Sequence, residues 1–353
     1  MTVVSDAAAE KGGATGHPPV PDTSDPVGRS RGREMLLEFT ERYALVVLFI
    51  ATLVFFSVWS KTSSTFLTSS NFKNVLGGEA YSGILALAIM IPLVCGEFDF
   101  SVGNSAGLTQ VLCAGFMARL GMPVPLAILL PIGVGAFIGV SNGNTVARIG
   151  VNSLIVTLGI SSVLLGIVQW YTNGQSISNN ISPWLTNIAT DQWFGLPVTV
   201  YLLAVAAIIV YYMLEHTPYG RYLYSIGSNR DAARLVGLRV ERYVLTAFVL
   251  SGTLAGVAGI LLVARSGGGN PQAGQIIDTL QALAAAYLGA TAIKPGRFNV
   301  LGTMIAIYFL AFTVTGLSLA GVADWINSVF DGAALFVAVL VSTIIGRRRA
   351  GTS

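Results

Sequence analysis

From residue 39 onward the chain is a succession of apolar runs separated by short polar interruptions, lying near 39–59, 75–95, 101–119, 123–147, 152–171, 196–214, 243–264, 279–292, 299–319 and 325–345. A helix needs about 20 apolar residues to cross a bilayer core. The pattern therefore predicts an all-α integral membrane protein, a polytopic helical bundle of about ten transmembrane helices. Two places predict broken or re-entrant helices. The eighth run is short and is followed closely by Gly289, Pro295 and Gly296, and the stretch from Gly96 to Gly103 interrupts an otherwise continuous apolar region. In lipid such breaks persist only where protein or a watery cavity satisfies the freed backbone groups.

Residues 1–34 differ: they are polar, rich in Gly, Pro, Ala, Asp and Arg, and have no periodic apolar face. They predict a disordered cytoplasmic tail, and the first apolar run begins too late for a secretory signal. The expected organisation is this tail, a transmembrane domain over 35–346 with a long polar loop at 215–242, and a basic C-terminus at 347–353.

Composition agrees. Of 353 residues 53% are hydrophobic and only 10% charged, against about 25% charged in an average soluble domain. A net charge of +3 is too small to point to nucleic acid. With ten spans both termini share a side, and assigning that side to the cytoplasm places sixteen of the twenty basic residues there and leaves Lys61, Lys73, Arg119 and Arg265 outside. The positive-inside rule asks for this asymmetry, and the expected location is the bacterial inner membrane. His17 and His216 are the sole histidines, and Cys95 and Cys113 lie in apolar runs, so a metal centre or a charge-relay nucleophile has little to build from. No catalytic or metal-ligating residue is expected.

The densest charge between two spans lies in EHTPYGRYLYSIGSNRDAARLVGLRVE, Glu215 to Glu241. Ser228 and Asn229 can cap a helix start, Asp231 suits its first turn, Ala232 and Ala233 favour helix, Arg234 lies near its end, and Gly237 suits a left-handed stop. This predicts a helix of about two turns, flanked by Gly220 and Gly227. Spacing alone equally allows a solvated connector.

The run TPYGRYLYSIGSNRDAARLVGL, with VLSGTLAGVAGILLVAR after it, closely resembles the permeases of ribose- and xylose-type ABC sugar importers, in the superfamily of branched-chain amino acid and sugar permeases. GEFDFSVGN at 96–104, VNSLIVTLG at 151–159 and LGATAIKPGRFNVLGT at 288–303 look like the same family, and the match covers residues 36–346. The resemblance implies a homodimeric permease that works with an ABC ATPase subunit and an extracytoplasmic sugar-binding protein. It makes Gly220, Arg221, Gly227, Asn229, Asp231, Ala232, Ala233, Arg234 and Gly237 a coupling segment docked on the ATPase. The chain has no G-x-x-x-x-G-K-[ST] phosphate loop, so it is expected to hold no cofactor and to leave ATP and magnesium to the partner.

Acidic residues inside spans default to a functional hypothesis, while the alternative for Glu97, Asp99 and Ser101 is capping of the following helix. With Asn104, Asn152, Thr157 and Gln281 they are the candidate translocation-pathway residues. Gln110, Asn142 and Asn144 also lie in spans, and each such group either bonds helices together or lines a wet path. Neutral hydrogen-bonding groups suit a solute such as a sugar, and the resemblance implies a monosaccharide, pentose-like, with sugar alcohols or related polyols as alternatives. An ion-coupled secondary transporter is the competing reading, kept open by Asp331. The small-xxx-small pairs Gly252 with Gly256 and Ala255 with Gly259 predict close helix packing.

Overall fold

The computed structural model describes residues 31–323 and 325–350. Helices follow in the order α1 (Arg31–Val58), α2 (Ser69–Gly78), α3 (Ala80–Val94), α4 (Val102–Ala118), α5 (Val124–Asn144), α6 (Ser153–Thr172), α7 (Pro183–Thr190), α8 (Val198–His216), α9 (Pro218–Ser228), α10 (Arg230–Leu235), α11 (Val240–Ser266), α12 (Ile276–Gly289), α13 (Val300–Leu319) and α14 (Trp325–Ala350). A π-helical turn, Thr145–Ile149, extends α5, and a two-residue antiparallel pair, β1 (Gln192–Trp193) and β2 (Leu196–Pro197), interrupts the otherwise helical fold. Phe39–Ser353 form one unit; of the other, Met1–Glu38, only the start of α1 is described. Most of the expected tail and the last three residues lie outside the described residues, and residues 31–34, expected in that tail, open α1.

Among the described residues, six helical stretches are long and apolar enough to cross a membrane: Ser69–Val94, Val124–Ile149, α6, α8, α11 and α13. Shorter apolar stretches lie in α1 (Arg42–Val58), α12 and α14 (Val329–Val341). α4 is not among them. Asn104, Ser105, Thr109 and Gln110 lower its hydropathy, and it is enclosed by α5, α6 and α11 with almost every residue buried. α3, apolar all round, is buried along nearly its whole length, as a helix without a polar face must be. α6 buries one stripe, Ser153, Thr157, Ser161, Leu164, Val168 and Thr172, and leaves the rest exposed or half-buried.

The most extensive helix contact joins α5 to α11. Gly135 and Gly139 of α5 face Gly252 and Gly256 of α11 so closely that a Cβ on Gly135 would run into the Gly252 carbonyl, and one on Gly252 into the Gly135 carbonyl. The expected small-residue pairs on α11 thus have separate partners: Gly252 and Gly256 meet α5, while Gly259 meets Ala106 and Thr109 of α4. Without a hydrophobic drive between helices in lipid, such backbone approach is a main source of association.

Three interruptions are built into the apolar helices. The expected one at 95–101 separates α3 from α4, and the expected short eighth run is α12, 14 residues long. At about 1.5 Å per residue it falls short of a bilayer core, and the irregular stretch 290–299 follows it. The third was not legible: residues 75–95 read as one run, yet α2 ends at Gly78 and α3 starts at Ala80, with Glu79 between.

Gly252→Val is expected to overpack the α5–α11 crossing by about 1–3 kcal/mol, lowering the thermal unfolding midpoint in detergent. Gly133→Ala, on the open face of α5 with nothing within 4 Å of its added Cβ, is expected to leave that midpoint unchanged.

Candidate functional site: the loop face

At one end of the bundle the helices gather the 95–101 interruption, residues 145–152, the 217–239 loop and the 290–299 stretch. α8 stops at Thr217, whose hydroxyl accepts from Gly220 N, and Pro218 opens α9 where its missing N–H costs nothing. α9 lays Gly220, Leu223 and Ile226 into the bundle. The expectation that Gly220 and Gly227 flank the loop helix is corrected here: both sit within α9. Their role is close approach, since a Cβ at Gly220 would strike the Leu214 backbone and one at Gly227 the Val94 carbonyl.

Asn229 then takes an extended conformation that parts α9 from α10, and its side chain caps α10 by accepting from Ala232 N at 2.9 Å. Ser228 ends α9 instead. Gly237, at φ 84°, closes the segment in the left-handed conformation. Asp231 and Glu241 flank Arg234 at 3.7 Å and 3.1 Å. The two alanines are not equivalent. Ala233 is buried against the bundle, whereas Ala232 is exposed together with Leu235 (89%) and Val236 (78%). The apolar ridge of Leu235 and Val236, held away from the core, is a feature that the sequence pattern did not single out.

Arg230, also absent from the expected site, ties α10 to the interruption between α3 and α4: its Nη1 donates to Glu97 Oε1 at 2.5 Å, with the Glu97 side chain 9% exposed. On the other flank Glu215 pairs with Lys294 at 2.6 Å and with Arg297 at 3.8 Å. The Arg297 guanidinium lies 3.6 Å from the Tyr224 ring centre, and the Tyr224 hydroxyl donates to Phe298 O at 2.6 Å. Burial pushes that hydroxyl above its ordinary pKa, with Arg297 acting against the shift. A groove of about 690 Å³ beside α10 includes Glu97, Asn152, Arg230 and Arg234 in its lining. A second, of about 670 Å³, is lined in part by Arg221, Tyr224, Gly227 and Arg297.

The candidate pathway residues cluster around the 95–101 interruption, but they serve the protein's own polar groups. Ser153 accepts from Phe98 N and Thr157 from Phe100 N. Asp99 accepts from Ser101 N, from Ser101 Oγ at 2.6 Å and from Ser251 Oγ at 2.8 Å, and Asn142 donates to Ser101 Oγ. Asn104 donates to Ser161, and Asn152 caps α6. Gln281 makes no hydrogen bond with any of these. Gln110 donates to Ser266 and to Gly268 O, so it too bonds helices together.

A fold of apolar helices with interrupted spans and a charged loop clamped to one end is that of a membrane transport subunit. The model of the branched-chain amino acid transport system / permease component family matches residues 71–339, and the chain belongs to that family. The ribose import permease protein RbsC of Escherichia coli (strain K12) is 32% identical over 298 residues, covering 83% of this chain and 91% of that protein. The xylose transport system permease protein XylH of the same strain is 29% identical, covering 87% and 92%. RbsC of Haemophilus influenzae (strain ATCC 51907 / DSM 11121 / KW20 / Rd) is 28% identical, covering 85% and 94%. The resemblance read from the motifs is therefore borne out. No solved structure matches the chain.

Arg230→Met leaves the Glu97 carboxylate without its partner and is expected to lower stability by about 1–3 kcal/mol, read as an earlier unfolding midpoint. Glu97→Gln combined with Arg230→Met is expected to recover part of that loss, since the uncompensated charge is gone.

Proposed function

We propose that this chain is the membrane-spanning permease subunit of an ABC importer that forms the translocation pathway for a pentose-like monosaccharide and couples it to a separate ATPase. Two copies form the pathway across the bacterial inner membrane. Each contributes ten spans with both termini in the cytoplasm, and an extracytoplasmic sugar-binding protein delivers the solute. ATP and magnesium are held by the ATPase; the permease carries out transport and no catalysis. The relatives' names support the solute class and the basic-residue asymmetry supports the orientation.

The observation that carries the coupling role is the exposed ridge of Ala232, Leu235 and Val236 on a segment anchored at both flanks. Neighbouring apolar side chains 78–89% exposed on a charged loop favour a protein partner that covers them. α10 docks that ridge on the ATPase, Asp231 and Arg234 set its orientation, and Gly220, Arg221, Gly227, Asn229 and Gly237 shape the segment that holds it. Movement of the docked helix passes through Arg230 to Glu97, and so to the gap between α3 and α4. On the other flank it passes through α9 to Glu215, Lys294 and the stretch after α12. A ligand-driven shift needs contacts that differ between two states, and both ion pairs join the loop to interrupted spans that can rearrange.

Purifying the tagged chain from its native membrane is expected to bring down an ATPase carrying phosphate loops. Leu235→Asp with Val236→Asp is expected to abolish that recovery while the permease remains inserted at normal yield. Ala233→Asp, which buries a charge inside the permease, is expected to lower the yield of the permease itself. Retention of the ATPase by the Leu235/Val236 variant would overturn the docking surface, and uptake that follows an ion gradient with no ATPase recovered would overturn the importer reading.

A further inference from the structure

The connection between α7 and α8 lies at the end of α8 away from the loop face, and it breaks a local rule. β1 and β2 pair Gln192 with Pro197 and Trp193 with Leu196, so Phe194 and Gly195 make a two-residue turn. Both are left-handed, at φ 47° and φ 82°. Such a turn favours Asn-Gly, because a short polar side chain or none at all fits that backbone. A bulky aromatic there is strained. Phe194 nevertheless holds the first position with its side chain fully exposed, beside Trp193 at 57%. It fills no core and does not favour the turn, so neither packing nor local structure accounts for it.

The hairpin is pinned in place. Gln192 accepts from Lys73 of α2 at 3.1 Å, Val198 N donates to Asp191 O at 3.0 Å, and the Tyr201 hydroxyl donates to Trp193 O at 2.8 Å. The Trp193 and Tyr201 rings lie 6.0 Å apart. Tyr201 opens a stripe on α8 that continues at helical spacing through Val205, Ile208 and Tyr212, each of them more than half exposed. On a helix that crosses a membrane, that stripe meets lipid. α8 has 19 residues. At about 1.5 Å per residue it spans about 28 Å, close to the thickness of a hydrocarbon core, about 30 Å. The hairpin immediately before it therefore sits at headgroup level.

We infer that Trp193 and Phe194 form an interfacial anchor, inserted into the headgroup and upper acyl region of the leaflet away from the loop face, and that phospholipid is what covers them. Continuity with the α8 stripe carries this assignment: Trp193 packs on the residue that opens the stripe, so the hairpin stands over the lipid-facing side of α8. Aromatic rings favour this level of a bilayer, and burial of the Phe194 ring there offsets the strain of the turn. The pinned hairpin in turn fixes the depth at which α8 enters the membrane.

A nitroxide on Phe194→Cys reads this directly, because the native Cys95 and Cys113 are buried. The permease alone is held in nanodiscs of phosphatidylethanolamine and phosphatidylglycerol, and collisions of the label with oxygen and with a water-soluble nickel chelate are measured. Ile208→Cys on the α8 stripe calibrates lipid, and Leu235→Cys on α10 calibrates water. Labels at Phe194→Cys and at Trp193→Cys are expected to lose nickel collisions and gain oxygen collisions relative to Leu235→Cys, reaching values between the two references. Nickel collisions equal to those at Leu235→Cys would overturn the anchor and mark a tip held in water for a protein partner. Exclusion of both reagents would overturn it as well, since the tip would then be covered by protein, such as a second copy of this chain.

Discussion

Every backbone N–H and C=O inside a bilayer must find its partner within the protein, and this requirement governs where the helices can be interrupted. At the gap between α3 and α4 the freed N–H groups of Phe98 and Phe100 meet the hydroxyls of Ser153 and Thr157, one turn apart on α6. At the gap between α2 and α3 the carbonyls of Gly77 and Gly78 meet Thr199 and Arg265. After α12 a single side chain does comparable work: Asn299 donates to the carbonyls of Gly289, Ala292 and Arg297 and accepts from Gly302 N. The first two interruptions are therefore held by side chains from other helices, and the third by a residue at the end of its own stretch.

That arrangement gives the loop face its reach. α9 and α10 do not hang from the bundle as a tether. They are fixed through buried Leu223, Ile226 and Ala233, through the Arg230–Glu97 ion pair and through Tyr224, which meets Arg297 and Phe298 O. The glycine-packed pair of α5 and α11 is the opposite kind of element. It has no gap to open and no slack between backbones, so it serves as the frame against which interrupted helices shift.

Much of this was legible in the residues. Apolar runs located the long helices, Asn229 and Gly237 marked the limits of α10, and the small-residue pairs on α11 pointed to close packing. What stayed hidden has physical causes. Ala232 and Ala233 are identical in propensity, so the buried one is set by the turn of α9 before them. Gly220 and Gly227 read as helix punctuation, because nothing local announces that a backbone from α8 or α3 passes within contact distance. The interruption at Glu79 is invisible because one acidic residue hardly dents the hydropathy of a 26-residue run. Asn104, Asn152 and Thr157 were correctly seen as polar groups in an apolar setting, yet the choice between helix bonding and a wet path depends on tertiary neighbours.

The enclosure of α4 bears on how the chain is made. A helix carrying Asn104, Ser105, Thr109 and Gln110 partitions poorly into lipid when it leaves the ribosome alone. The frame that shelters it includes α11, whose Gly259 packs on Ala106 and Thr109 but which is synthesised more than a hundred residues later. The partners of α4 that are made before α11 are α3, α5 and α6, so the full enclosure of its polar groups is complete only when the C-terminal half is in place.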